Sequence, residues 1–511
     1  MLDEVWVVND GKESILGCQP ASEGMEGPVL RPWATALFLF LFFGLFVPLA
    51  YWCGLNQPAL FDIRGEGYPQ PWAEFLTVLT VGALFLVPFV WMAVGRVIDP
   101  LALTMGLNGL ILVGYFFLGQ TGQRIDGAER PVLSAANMIL AINSIGFFTL
   151  LSVLVAWYAI FSLGRRQIRP LPAAPETMDS RFRWFLYPFT LAVTGMVSLP
   201  MILTRTVPLL SSDPVEGRLT LLQSDIGRPL YNLASSLLPA AIAGCLVLAW
   251  RRRGFGKIFN IEVLLVGIAV TVQLLTSNRT PLAMAMMMTF ALFTFEWKLP
   301  RWLMPAMVAL FFAAYLGLSG FSSIVRQNRD LLEEGNLVAA SFVEAFMGDN
   351  LSDLRDGAWV MGEWNMEPLN GKTYLGGLAA LLPSAIFPQK KEWYLGWIGL
   401  RIVQWPTEEH FGLRMSFFAE SFLNFGLAGT IGLAVFLGSY YGYLLKALHL
   451  AARSEVSCLT RNIRLMLALQ LGQTFSNSSE GFVFYSLVSL LVIIWLVVDF
   501  PLKIQYGPHR S

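Results

Sequence analysis

SFFAESFLNFGLAG, Ser416 to Gly429, stands where the one long polar run of this chain gives way to an apolar span. The run it closes begins near Ser323 and carries Arg326, Arg329, Arg355, Arg401, Arg414 and His410 among many carboxylates. On either side the sequence is a succession of apolar stretches. Many approach 20 residues, the length at which a helix rising 1.5 Å per residue crosses hydrocarbon. Hydrophobic residues make up 55% of the chain and charged residues 14%, with a mean hydropathy of +0.58. Soluble domains hold roughly a quarter charged residues. The chain therefore reads as an all-α polytopic integral membrane protein and not as a string of soluble domains. A connection of roughly ninety residues exceeds what joining two spans requires, so the polar run is the first place to look for function.

Working outward, about twelve spans are expected, near 33–53, 73–94, 100–118, 136–163, 184–203, 229–250, 258–276, 280–297, 300–322, 415–445, 463–476 and 482–502. The eleventh is the most polar of them, through GQTFSNSSEG. Residues 1–32 are polar and mixed in charge, without the charged, apolar and cleavage regions of a signal peptide, and read as a cytoplasmic tail. Residues 33–322 then form a bundle of about nine helices, 323–414 a large loop, and 415–511 the last helices and a second cytoplasmic tail. Basic residues set the orientation. Arg165, Arg166, Arg169, Arg181 and Arg183, then Arg251, Arg252, Arg253 and Lys257, then Lys446, Arg453, Arg461 and Arg464 fall on alternating connections, which places those inside. Both termini then lie on the inner, cytoplasmic side and the 323–414 loop lies outside.

Several chemistries have no footing. The four cysteines lack metal-ligand or disulfide spacing, and no Walker loop, dinucleotide fingerprint or HExxH motif occurs. No metal or cofactor is expected, and nothing points to nucleic acid. What does stand out is arginine, 27 against eight lysines. Its planar fork suits two phosphate oxygens, where lysine offers a point charge. Arg279 lies in the short turn TSNRTPLAM and Arg326 where a span emerges, so both sit at the membrane surface. Snorkelling to headgroups or capping a helix end accounts for such positions equally well. The segment from Arg401 to Arg414 adds Glu408, Glu409 and His410, which together offer a proton acceptor and anion-binding groups. Glu420 lies inside an apolar stretch, where a lone carboxylate is costly.

In order, the chain shows an NRTP turn, an arginine-bearing loop start, GKTYLGGLAALLPSAIFPQKK and then EEHFGLRMSFFAESFLNFGLAG. This order resembles the oligosaccharide repeat-unit polymerases of the Wzy type, over roughly residues 270–445. Gly371, Lys372, Thr373, Tyr374, Pro383, Pro388 and Lys390 stand at the family's loop segment. Glu420, Asn424, Phe425, Gly426 and Gly429 stand at the segment opening the next span. Ala419 and Phe422 depart from the glycine and tyrosine of that pattern.

The resemblance implies a GT-C-like, metal-independent glycosyltransferase acting at the periplasmic face. Its substrate would be an undecaprenyl-diphosphate-linked oligosaccharide, polymerised into O-antigen, capsule or exopolysaccharide. Membrane lipid, a chain-length regulator and a repeat-unit flippase would be its partners. It implies catalytic roles for His410, Glu409 and Glu420, and a stretch from Met415 to Gly426 that dips into the outer leaflet and turns at Phe425-Gly426, with an arginine, Arg414 or Arg279, as partner to Glu420. Diphosphate or substrate contacts fall to Arg279, Arg326, Arg401, Arg414, Lys372, Tyr374 and Asn424. Two other readings stay open at this stage. An O-antigen ligase shares the span number and the large loop, although His410 is followed by Phe411 and lies 16 residues before Gly426. A lipid-linked glycan flippase or transporter would call for ionisable residues in mid-span.

Overall fold

The computed structural model describes residues 76–84, 105–106, 108–109, 112, 132–163, 176–211, 214–223, 227–253, 260–278, 280–296, 306, 309–310, 313, 317, 353–379, 386–405, 413 and 415–452. All regular structure among them is helical. In chain order the helices are α1 (Val132–Leu163), α2 (Glu176–Thr204), α3 (Pro214–Gln223), α4 (Gly227–Arg253), α5 (Ile261–Leu275) and α6 (Thr280–Glu296). Within the large loop and beyond it come α7 (Asp353–Glu363), α8 (Lys372–Ala379), α9 (Leu395–Ile402) and α10 (Phe417–Ala452). The expected spans at 33–53, 100–118, 300–322, 463–476 and 482–502, and most of 73–94, lie wholly or largely outside the described residues.

Four of these helices are long and apolar enough to cross a membrane, through Met138–Trp157, Arg183–Thr204, Leu233–Trp250 and Phe417–Leu445. This is a membrane-embedded, all-helical protein. In α5 and α6 the apolar cores are shorter, Ile261–Leu275 and Pro281–Phe293. The 15 residues of α5 rise about 23 Å, less than the roughly 30 Å of a bilayer core.

Two packed groups carry the fold. In the first, α1 and α10 lie side by side and run in the same direction. Their contact depends on Gly438 and Gly442 of the GSYYG segment, a small-xxx-small spacing that lets two backbones approach. A Cβ at Gly438 would sit 2.9 Å from Val153 Cβ and 3.1 Å from the Leu150 carbonyl oxygen. One at Gly442 would sit 2.7 Å from Trp157 Cβ. Loop helix α7 covers the start of α1, with Gly357 against Ile139 and Gly362 against Ala135.

The second group packs α4 against α2, α5 and α6. The PAAIAGC stretch of α4 supplies the close faces, with Ala241, Ala243 and Cys245 fully buried. Polar and aromatic pairs fix the directions. Tyr231 near the start of α4 bonds Thr276 at the end of α5 (3.2 Å), so these two run oppositely. Trp250 and Phe293, near the ends of α4 and α6, meet edge to face at 6.3 Å, so those two run together. The Tyr187 hydroxyl near the start of α2 donates to Glu262 at the start of α5. The 3-10 turn Pro208–Leu210 after α2 also packs on α5, which sets α2 parallel to α5.

Candidate functional site

The expected tenth span is not one rod. Gly426 has φ 66° and ψ −161°, outside helical geometry, and splits α10 into a short arm, Phe417–Phe425, and a long one. Ser416 caps the short arm: its Oγ accepts the Ala419 N–H at 3.2 Å and donates to Asn143 Oδ1 of α1. That is the position and chemistry of an N-cap serine. The two arms fold back on one another. Thr430 Oγ1 donates to the carbonyl oxygens of Phe418 and Gly426, both at 3.4 Å. A Cβ on Gly429 would lie 3.0 Å from the Ser421 carbonyl oxygen and would overlap Phe425 Cβ. In a continuous helix, residues 421 and 429 would stand about 12 Å apart along the axis. Gly426 makes the reversal and Gly429 permits the close approach.

Two pieces of chain in the large loop hold this hairpin. Leu369-Asn370-Gly371-Lys372 forms a turn in which Asn370 (φ 52°) and Gly371 (φ 78°) are both left-handed. The Lys372 N–H closes it onto the Leu369 carbonyl at 3.0 Å. Asparagine followed by glycine is the pair that accepts this conformation. The same turn caps the short arm, since Leu369 N–H reaches Leu423 O (3.0 Å) and Asn370 N–H reaches Asn424 O (3.2 Å). Those carbonyls end a helix and have no partner within it.

Helix α8 starts at this turn and places Thr373 against the short arm. Thr373 Oγ1 donates to Glu420 Oε1 and accepts from Asn424 Nδ2 at 2.9 Å. Asn424 Nδ2 also meets the Glu420 carbonyl at 2.9 Å. Tyr374 stacks on Phe425, with ring centres 5.8 Å apart and planes 2° apart. Trp364 meets Phe422 edge-on at 6.2 Å. Glu420 is 1% exposed and Thr373 and Asn424 are fully covered. Burial pushes the Tyr374 phenol well above its usual 10, and the neighbouring Glu420 carboxylate adds to this. Tyr374 thus stays a neutral phenol at physiological pH.

The structure therefore brings Glu420, Asn424 and Tyr374 into one cluster. Lys372 belongs to the same turn but is exposed. Arg401 lies in α9, half exposed, with Glu392 at 4.0 Å, an ion pair of the weak surface kind. His410, Glu409, Arg279, Arg326 and Arg414 lie outside the described residues.

Two residues carry more than the sequence reading assigned them. Thr373 was legible only as a motif letter, and its hydroxyl proves to be what meets Glu420. Glu262 is wholly buried and takes the Tyr187 hydroxyl. The signal for it was an acid just inside an apolar stretch, the same signal that singled out Glu420.

No protein-family model, curated protein or solved structure matches the chain.

Proposed function

We propose that the chain is a polymerase of lipid-linked oligosaccharide repeat units, a glycosyltransferase of the periplasmic face of a bacterial inner membrane. The observation that supports this reading is the clasp. Two sequence segments that resemble the polymerase pattern, Gly371–Tyr374 and Glu420–Gly426, lie about fifty residues apart in sequence and bind each other residue by residue. Gly371 makes the turn, Thr373 takes Glu420, Tyr374 covers Phe425, and Gly426 reverses the chain. A scaffold that served only to bridge two spans would not need a buried carboxylate held by a loop hydroxyl.

In this reading a sugar hydroxyl of one lipid-linked unit attacks the anomeric carbon of a second unit or growing chain. The bond from that carbon to the diphosphate breaks, and the electron pair leaves with undecaprenyl diphosphate. His410 or Glu409 takes the hydroxyl proton. Arg279 and Arg326, with Arg401, Arg414 and Lys372, meet the charge that develops on the diphosphate. Glu420 organises the site through Thr373 and Asn424. About twelve spans, a GT-C-like arrangement and cytoplasmic termini complete the proposal, and a chain-length regulator and a flippase are its natural partners.

The test is the length distribution of surface glycan in a deletion strain. Single repeat units on the surface lipid mark a lost polymerase. Full-length polymer retained on the carrier marks a ligase, and units trapped inside mark a flippase. Either of the last two results overturns the proposal.

A further inference from the structure

The strap between α7 and α8, Trp364–Gly371, lies on the last turn of the short arm. It holds left-handed residues at Met366 (φ 66°), Asn370 (φ 52°) and Gly371 (φ 78°). Asparagine and glycine tolerate that region, and methionine rarely enters it. Two bonds bracket Met366: the Trp364 indole N–H donates to the Glu367 carbonyl at 3.1 Å, and the Glu367 N–H donates to Asn365 Oδ1 at 3.1 Å. A strained backbone persists only where its surroundings impose it, so the strap holds its closed position at a cost.

What the strap covers is rich in acceptors. The carbonyls of Leu423 and Asn424 end the short arm, at the negative end of its dipole, and take the N–H groups of Leu369 and Asn370. Glu420, one turn earlier, adds a buried carboxylate. Asn424 adds an amide whose orientation is fixed. Its Nδ2 faces the Glu420 backbone carbonyl, which can only accept, so nitrogen and oxygen cannot change places. Asn424 Oδ1, on a residue with no exposed surface, has no hydrogen-bond partner, and neither has Asn370 Oδ1 on the strap. Buried acceptors left unsatisfied are expensive. A phosphate brings only more acceptors and more negative charge to such a place. A sugar brings hydroxyl donors.

We propose that the end of the short arm is a sugar site gated by the strap. A sugar slips between the two, its hydroxyls donating to the Leu423 and Asn424 carbonyls and to Asn424 Oδ1 from above, and to Asn370 Oδ1 from below the lifted strap. The strap N–H groups then give up the carbonyls they hold when it is closed, and the strain at Met366 is released. The inference rests on the polymerase reading for the kind of ligand, and it divides that ligand: the clasp takes sugar, and the leaving diphosphate lies elsewhere.

The test is hydrogen exchange on the full chain in lipid nanodiscs, read at Leu369 and Asn370, whose N–H groups hold the closed strap. The probes are the free repeat-unit oligosaccharide, cut from the strain's own surface glycan, and inorganic pyrophosphate. The oligosaccharide should speed exchange at both amides severalfold and saturably, and pyrophosphate should leave it unchanged. Asn370→Gly keeps the left-handed turn, which glycine adopts freely, and removes one acceptor. It should raise the oligosaccharide concentration needed for half the effect by roughly threefold to tenfold, the worth of one neutral hydrogen bond. Exchange that the oligosaccharide leaves unchanged or slows overturns the inference. So does a matching acceleration by pyrophosphate, or an Asn370→Gly protein as responsive as the parent. Failure here is separable from failure of the polymerase reading. A deletion strain that retains polymer on its carrier, beside exchange that the oligosaccharide speeds, removes the polymerase and keeps the sugar site. Single repeat units in the deletion strain, beside exchange that the oligosaccharide does not alter, remove the sugar site and keep the polymerase.

Discussion

Glu420 and Gly426 show what single residues decide here. A carboxylate in the interior needs a donor, and Thr373 provides one. Glu420→Gln keeps an oxygen for that hydroxyl, so polymer yield should drop several-fold while protein level holds. Glu420→Ala leaves the Thr373 hydroxyl buried without its acceptor, a loss of about 1–3 kcal/mol, and should lower protein level as well. A Glu420→Gln protein that is stable but wholly inactive would make the carboxylate a proton carrier and remove the organising role. At Gly426, φ 66° with ψ −161° is a region that essentially only glycine occupies. Gly426→Ala should cost about 1–3 kcal/mol, visible as earlier thermal unfolding in detergent; unaltered unfolding would mean that the reversal is not needed for the fold. The turn at Phe425-Gly426 was expected from the resemblance of the Glu420–Gly429 segment to a span opening, with glycine there free to adopt φ > 0, and the chain leaves helical geometry at Gly426. The contact of Glu420 with Thr373, 47 residues earlier, was not legible, because no local pattern encodes such a separation. The expected arginine partners, Arg414 and Arg279, lie outside the described residues.

Among elements, the contrast is between glycines that touch and glycines that do not. Gly438 and Gly442 meet Val153 and Trp157 of α1 at distances that Cβ atoms essentially never show, and Gly438 lies tight on the Leu150 carbonyl, whereas Gly267 in α5 has nothing within 4 Å of such an atom. Gly438→Leu should therefore separate α1 from α10 and destabilise the protein by more than about 3 kcal/mol, beyond ordinary overpacking. Gly267→Ala should be neutral or gain up to about 1 kcal/mol from helix propensity. Thermal unfolding of the two variants side by side is the measurement, and equal effects would refute the packing argument. The apolar pattern places helices at 136–163, 184–203, 229–250, 258–276 and 280–297, close to where α1, α2, α4, α5 and α6 stand, because length and hydropathy suffice for that. The helices α7, α8 and α9 inside the polar run were not legible. They are short and amphipathic; α7 leans on α1 and α8 on α10, elements far away in the sequence, while α9 packs on α7 and on the 3-10 turn Pro388–Trp393.

For the whole molecule, the directions of the helices bear on sidedness. A chain that crosses a membrane at every span must alternate, so spans separated by an even number of steps run the same way. α1 and α10, the expected fourth and tenth spans, run together. α4 and α6 run together and opposite to α5, as the expected sixth, eighth and seventh spans must. Relative alternation says nothing of which side is which, and that choice rests on where the arginines lie. The large loop joins the same end of the molecule as the start of α1, since α7 packs on Ala135 and Ile139. The connection after α1, carrying Arg165, Arg166 and Arg169, leaves from the other end. Gln389 sits exposed in the 3-10 turn Pro388–Trp393 of the loop, and Gln167 lies in the basic connection. A cysteine at Gln389 should therefore react with an impermeant maleimide in intact cells. A cysteine at Gln167 should react only after the membrane is opened. If the pattern is reversed, the charge argument fails and the clasp faces the cytoplasm, which would overturn the proposed periplasmic polymerase. If both positions react in intact cells, an even number of crossings lies between α1 and the loop, which is incompatible with α1 and α10 both spanning in the same direction.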